Sequence, residues 1–580
     1  MDGRRTPTEA RDDLGVWRGS FPVDPHGGDL HLAAVNRRYL TPDRLAAIER
    51  EAGRFGRRIG SELAPLVAGY QANPPRLEAH DGIGRPLMEV RFDGDYHRAG
   101  DLVWSSGILA HSRTAGRSFE HANLAYLASL EGEMGHMCAV TCTTGLVRVL
   151  RWAGAEDLLG RYLDGLASPG PGALRGAQFL TEVQGGSDVG ANTVTARPAA
   201  DGTWRLDGEK WFCSVADADL FLVMGRVSGE TGSTSGLGCF LVPRLVDGVP
   251  NGFTIRRLKD KLGTTSMASG EFEFHGAVGH AVGDPTDGFR LMVGAMLNAS
   301  RWMNALGNLG VMRRAYLEAA AYARFRHAFG GPISRFPAVL QTLAAIKVEW
   351  LAALHSTWEL TALDEAVDIT ACAPAGSLGS DGVTEADAGF HRFLVNANKL
   401  VTSQACTDVV RAAIEVLGGN GAIESFSVLP RLLRDSVVYE QWEGTHNVLA
   451  AQVARDLPRF DLLPIIAERT ERLLGDDQGS GLIRAAGAEV VDDARRCLAT
   501  PETAAWHFRS VLVRMVRIHQ AALMTATAVE QPERADELEA AAALLVARHV
   551  RTGYRPQDDP AYPKLIAAVL GPDLDEAVRG

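Results

Sequence analysis

The stretch YEQWEGTHNVLAAQVARDL, from Tyr439, sets Glu443 between Trp442 and Gly444 just before apolar residues take up helical spacing. An acid there is either a helix-start charge, favoured by the dipole by about 0.3–1 kcal/mol, or a base held against a carbon acid. Upstream, TEVQGGSDVGANT over residues 181–193 joins two hydroxyls, Thr181 and Ser187, to glycines that permit close backbone approach. Free N–H groups in such a turn suit a flat polar ring or a phosphate. A tight helix-to-strand connection explains the same segment. Lys210-Trp211-Phe212-Cys213-Ser214 follows, where an indole could cover an aromatic ring or fill a core. LGGNGAIE, residues 417–424, has Glu424 at the third glycine position of a dinucleotide fingerprint and a helical pattern before it, so a Rossmann turn is excluded. A phosphate loop, an HExxH zinc motif and a GxSxG elbow in supporting context are all missing.

These segments need elements to hold them. Residues 1–177 carry apolar residues at helical spacing, which predicts an N-terminal helical domain. Residues 178–290 change to short β-rich runs broken by Gly, Asp and Pro, such as TWRLDGEKWF and GEFEFHGAV, which predict an antiparallel sheet domain with Ser228–Gly238 as a hairpin loop. Long helical patterns return over 291–455, with a glycine-rich surface loop expected after Thr370, and continue through a last helical block, 456–580. The predicted class is therefore α+β and multidomain.

Composition narrows the function classes. With 580 residues, 46% hydrophobic and 22% charged, the chain fits a folded protein of several cores rather than a disordered one. No apolar run is read as long enough for a bilayer span, and the polar, mixed-charge N-terminus reads as no targeting peptide, so a cytoplasmic location is expected. Seven scattered cysteines predict reduced thiols and neither a disulfide framework nor a metal site. The net charge is −12, and residues 456–580 hold 15 basic against 20 acidic residues, which disfavours nucleic acid as a partner. Only six basic residues are lysines: 210, 259, 261, 347, 399 and 564.

Taken in order, the motifs resemble those of the acyl-CoA dehydrogenase flavoprotein family. Thr181-Glu182 before Gly186-Ser187-Asp188 is similar to its first signature, and Glu415, Gly418, Gly419, Gly421, Arg434 and Asp435 to its second. Arg326-His-Ala-Phe329-Gly330 resembles the family's Arg-x-x-Phe-Gly. Asn73-Pro74-Pro75, Gly84-Arg85, Tyr96-His97, the run Arg257 to Gly263 and Trp442-Glu443-Gly444 resemble one branch, the AidB-like proteins. Standing alone, the N-terminal pattern would read as a plain turn with a helix start.

The resemblance implies an N-terminal helical domain, a central antiparallel β domain, a C-terminal four-helix bundle and an extra helical domain. It implies FAD, held by Leu180, Thr181, Ser187, Trp211, Arg326, Phe329, Gly418, Gly419, Thr445 and Asn447, with Arg326 and Phe329 reaching a cofactor across a subunit interface of a homotetramer. It implies that Glu443 is the base that takes the α-proton of an acyl thioester, carried by CoA or a carrier protein, while a hydride leaves the β-carbon for flavin N5. Enclosure would raise the pKa of that carboxylate toward working pH. The backbone N–H of Glu443 is implied as one donor to the thioester carbonyl, with Gly444 allowing its approach and Asn298 to Arg301 lining the acyl and CoA channel. The alternative family position for the base holds Ser300, which strengthens the assignment of Glu443. Cys213 stands where a hydroxyl usually meets flavin N5, so Ser214 is the substitute to look for, and Pro337 stands where a Gln contacts the cofactor. Glu440 reads as a surface or helix-start acid. Competing expectations are an AidB-type DNA-associated flavoprotein of the alkylation response and a flavin oxidase or monooxygenase on the same fold. The electron acceptor is not specified.

Overall fold

The computed structural model describes residues 5–22, 24–170, 172–229, 231–373, 382–475 and 480–578. The chain divides into two compact units, Ser61–Met303 with Asp364–Gly382, and Met1–Gly60 with Asn304–Leu363 and Val383–Gly580. The first sixty residues therefore cluster with the later helices, a long-range association that local periodicity cannot reveal.

The unit built around Ser61–Met303 holds the sheet. Its strands run in the order Phe253–Leu258, Ser269–Ala281, Trp204–Ser214, Thr195–Pro198, Leu220–Arg226 and Gly176–Phe179. Leu237–Pro243 pairs with both Leu220–Arg226 and the end of Ser269–Ala281, so the sheet curls. Most pairs are antiparallel, as expected, but Gly176–Phe179 and Thr195 pair parallel with Leu220–Arg226. The chain leaves Phe179 through a long excursion before Leu220, and such connections permit parallel pairing where hairpins cannot. Phe179, Phe221, Phe253 and Phe272 meet ring to ring inside, with centroids 4.9–5.6 Å apart. The hairpin predicted between Leu220–Arg226 and Leu237–Pro243 forms.

The segment whose pattern, standing alone, would read as a plain turn with a helix start is a hairpin, Arg76–His80 against Pro86–Arg91, followed by helix Gly94–Trp104. Asp81 closes it by accepting from the N–H groups of Ile83 and Arg85, both at 2.9 Å, and Gly84 takes a φ of +83° that suits glycine. Further along, the helix that starts at Gly288 passes through a π-helical turn, Met292–Leu297, before Asn298–Phe325. Such insertions concentrate at functional sites.

The second unit is helical, from Pro7–Arg18, Leu30–Tyr39 and Pro42–Arg58 to Glu385–Leu417, Leu429–Gln441, His446–Arg459 and Pro501–Glu530. Thr384 caps Glu385–Leu417 by accepting from the Asp387 N–H; the loop expected after Thr370 falls largely on residues 374–381, outside the described residues. Pro337–Cys372 corrects the reading that no apolar run reaches bilayer length: it is long and apolar enough by length and composition. Most of that window is buried, and the helix carries Lys347 and Glu349 in ion pairs to Glu537 and Arg517, at 2.7 and 2.6 Å. All seven cysteines are free, six of them buried.

Candidate active site

Glu443 lies in the short connection between Leu429–Gln441 and His446–Arg459. Its φ is +56°, a left-handed conformation that costs a non-glycine residue about 1–2 kcal/mol. Strain of this kind persists only where the surroundings enforce it. Lys399 on Glu385–Leu417 ties both sides of this turn: its buried ammonium donates to the carbonyl oxygens of Glu440 at 2.9 Å and Gly444 at 3.0 Å. The two bonds bracket the acid. Val215, next to Ser214, and Phe329, itself a predicted site residue, share the left-handed conformation, with φ of +54° and +51°.

The first turn of His446–Arg459 is held from another side. Arg509, on Pro501–Glu530, donates to Asn447 Oδ1 at 2.8 Å and to His446 Nδ1 at 3.2 Å. A guanidinium only donates, so Nδ1 carries a lone pair and Nε2–H points to Ser403 Oγ, 3.1 Å away. Burial lowers the His446 pKa to about 4, with the positive charges of Lys399 and Arg509 adding to the effect, so the ring is neutral. Thr445 is the N-cap of this helix but makes no capping bond with its hydroxyl, and Asn447 is exposed. Glu440 departs from expectation: it is the second-last residue of its helix, half-buried, and accepts from Thr407 Oγ1.

In the same unit, Arg326 follows Asn298–Phe325 and leads into the hairpin His327–Ala328 and Gly331–Pro332. Its two loop residues, Phe329 and Gly330, both have positive φ, the pattern of a type I′ turn, and the Phe329 ring is 98% exposed. Gly418 has a φ of +60°, and a Cβ added at Gly418 or Gly419 would meet nothing within 4 Å. Both present open backbone.

The sheet unit gathers the other predicted residues. The Trp211 N–H donates to the Thr181 carbonyl at 2.9 Å, setting the indole strand against the Leu180–Thr181 turn. Beneath it, Lys210 donates to Leu180 O at 3.2 Å and pairs with Glu182 at 2.8 Å, while Glu182 also accepts from Thr193 and Gln184. Burial alone would raise the Glu182 carboxyl; Lys210 and these donors hold it below the usual range. Across the strand pair, Lys210 faces Phe272 and Cys213 faces Gly270, so Trp211 and Phe212 together oppose Glu271. This bulge turns Lys210 and Cys213 both inward and leaves Trp211 half-buried and Phe212 exposed. Cys213 is 0% exposed, whereas Ser214 is half-buried and lies 3.5 Å from Ser269 Oγ. Lys259 sits 3.4 Å over the Trp211 ring and bonds Glu271. Ser187 is exposed. After the π turn, Asn298 is half-buried, Ser300 accepts from Gln178 at 3.3 Å, and Arg301 is buried.

Sequence reasoning missed Lys399, His446 and Arg509. The only hint was the scarcity of lysine. It also missed a buried cluster in the sheet unit, where the ligand-type atoms of Glu131, Glu133 and His136 lie within 4.8 Å of one another. Tyr70 donates to Glu133 at 2.8 Å, and His136 Nε2 donates to Tyr96 O at 3.0 Å. The spacing Glu-x-Glu-x-x-His was legible.

Family models match most of the chain: the AidB N-terminal domain over residues 23–170, the acyl-CoA dehydrogenase middle domain over 177–277 and the C-terminal domain over 286–457. AidB of Escherichia coli (strain K12) is 36% identical over 438 residues, 70% of this chain and 75% of that protein. Acyl-CoA dehydrogenase family member 11 of Caenorhabditis elegans is 30% identical over 471 residues, 78% of this chain and 74% of that one. The solved structure of Caenorhabditis elegans ACDH-11 in complex with C11-CoA matches with a TM-score of 0.80 at 25% identity, covering 96% of this chain and 95% of that one. An acyl-CoA dehydrogenase from Bacillus anthracis, complexed with FAD, shares the fold with a TM-score of 0.71 at 20% identity, covering 93% and 97%.

Proposed function

The chain belongs to the acyl-CoA dehydrogenase family, and from that premise we propose that it is an FAD-dependent dehydrogenase of an acyl thioester, with Glu443 as the base. The observation that carries this reading is the strained turn at Glu443, bracketed by Lys399 through the carbonyls of Glu440 and Gly444. A helix-start charge needs no such clamp. A base that must meet one C–H bond does.

The residues fit the cofactor. A hydroxyl without a capping bond at Thr445, an exposed amide at Asn447, open glycine backbone at Gly418 and Gly419 and the guanidinium of Arg326 are the donors a dinucleotide diphosphate requires. Thr181 and Trp211 would hold the flat ring, with Ser214 the half-buried hydroxyl beside it, since the Cys213 thiol faces the sheet interior. When bound, FAD supplies the acceptor for the hydride that leaves the β-carbon. Glu443 takes the α-proton onto its carboxylate, and its backbone N–H donates to the thioester oxygen where negative charge develops. The product is the α,β-unsaturated thioester. The exposed ring of Phe329 on its type I′ turn suits a residue completed by another copy of the chain, as in a tetramer.

The deciding measurement is anaerobic bleaching of the flavin by a panel of acyl-CoA and carrier-protein thioesters. Wild type should bleach with at least one of them, and Glu443→Gln should slow bleaching by roughly a hundredfold to ten-thousandfold while retaining FAD. A Glu443→Gln protein that bleaches at the wild-type rate sinks the assignment.

A further inference from the structure

Residues beyond 457 lie outside the span matched by the C-terminal family model. They nevertheless reach the turn that carries Glu443. Helix Pro501–Glu530 packs on His446–Arg459, with Phe508 buried, and the next residue, Arg509, spends both terminal nitrogens on the first turn of that helix.

The contact adds to a chain of hydrogen bonds that leads back to the Glu443 turn. Arg509 donates to His446, His446 donates to Ser403, and Ser403 donates to the backbone carbonyl of Lys399 at 2.8 Å. The Lys399 ammonium then returns to Gly444 O, next to Glu443. Each link fixes the direction of the next, because guanidinium and ammonium donate only. The second arm of Arg509 fixes Asn447 through its oxygen, which turns the Asn447 amide nitrogen away from the guanidinium. Strained backbone such as that at Glu443 persists only where its surroundings hold it, and Arg509 ties down the adjoining helix start from Pro501–Glu530.

We propose that Arg509 is a positioning residue of the active site, through which the C-terminal helical block fixes the Glu443 turn and the Asn447 amide. The block is thereby a working part of the catalytic unit. The proposal rests on the reading of Glu443 as the base.

The test uses the full-length flavoprotein and its Arg509→Gln and Arg509→Lys variants. Three quantities are followed: the flavin reduction rate at saturating thioester, the thioester concentration for half-saturation, and FAD affinity of the stripped protein. Arg509→Gln should slow reduction about tenfold to a hundredfold, leave half-saturation within about twofold and weaken FAD binding; Arg509→Lys, keeping one donor, should fall between. Wild-type reduction rates and FAD affinity in a folded Arg509→Gln protein overturn the proposal, as does an equal loss in both variants that simply follows a lowered unfolding midpoint. If Arg509→Gln does not fold, Asn447→Ala removes one acceptor and must weaken FAD binding on its own, or the proposal fails. If wild type binds FAD but no thioester reduces it, the base assignment falls, and the FAD-affinity arm still decides Arg509.

Discussion

The Lys399 ammonium lies 3.0 Å from the carbonyl oxygen of Gly444, forty-five positions along the chain. With its second bond, to Glu440 O, it spans the residue between them that matters, Glu443. Lysine is fully buried here, and the two carbonyl oxygens offset part of the cost of burying its charge.

Lys399→Met should therefore uncouple the turn without changing side-chain volume much. Two half-buried carbonyls lose their donor, for an expected loss of about 1–3 kcal/mol in urea unfolding. Flavin reduction by thioester should slow about tenfold or more, because the base is no longer held in its strained conformation. A normal reduction rate in a destabilised Lys399→Met protein would separate the clamp from catalysis and refute the role given to it.

The bulge at Trp211–Phe212 makes a second prediction. Cys213 is enclosed by the sheet, and burial pushes its thiol pKa up, so it is neutral and apolar in character. Cys213→Ser should cost about 1–3 kcal/mol by burying a hydroxyl, yet leave the visible spectrum of the bound flavin unchanged. Ser214→Ala should do the reverse, shifting the spectrum with little effect on unfolding. The opposite pattern would mean that the thiol, and not Ser214, meets the cofactor.

Much of this was legible in sequence and some was not, for physical reasons. Apolar spacing located the helices and the β-rich middle, because burial of one face dictates period. The motif around Glu443 was visible because its residues are adjacent. Lys399 was invisible, since it meets Glu443 only through tertiary packing. The inward turn of Cys213 follows from one extra residue in a strand, which breaks the alternation that a pattern reading assumes. Glu440 was misread because helix Leu429–Gln441 ends at that point rather than beginning there. The hairpin at Arg76–Arg91 carries an Asp81-Gly82-Ile83-Gly84 turn signal whose residues are adjacent in sequence.

The buried Lys210–Glu182 pair anchors the Leu180–Thr181 turn, and breaking it should be costly. Glu182→Gln leaves an ammonium in the sheet interior, for an expected loss of about 3–5 kcal/mol. The Glu182 carboxyl lies below its unfolded value, near 4.3. Its contribution is therefore complete above about pH 4.3 and is lost as pH falls through the lower folded value. Wild type should lose stability steeply in that acidic window, and Glu182→Gln should lose less there. Equal acid sensitivity of the two proteins would assign the loss to other carboxylates.

His136 provides the complementary case. Burial by itself would lower its pKa, but the hydrogen bond and charge of Glu131, with the charge of Glu133, outweigh burial and raise it. Tyr70, whose own pKa is raised by burial and by Glu133, stays neutral and keeps donating to that carboxylate. A raised folded-state pKa means that the imidazolium stabilises the fold fully below the unfolded value of about 6.5, and that this stability disappears as pH rises through the folded value. Urea unfolding of wild type should accordingly weaken above about pH 6.5. His136→Gln should be less stable than wild type at acidic pH, with the gap narrowing as pH rises. Because Gln also loses the ring's hydrogen bond to Tyr96 O, part of the gap should persist at high pH. A gap that widens with pH would reverse the assigned charge of His136, and a titration of its ring protons by NMR would locate the error.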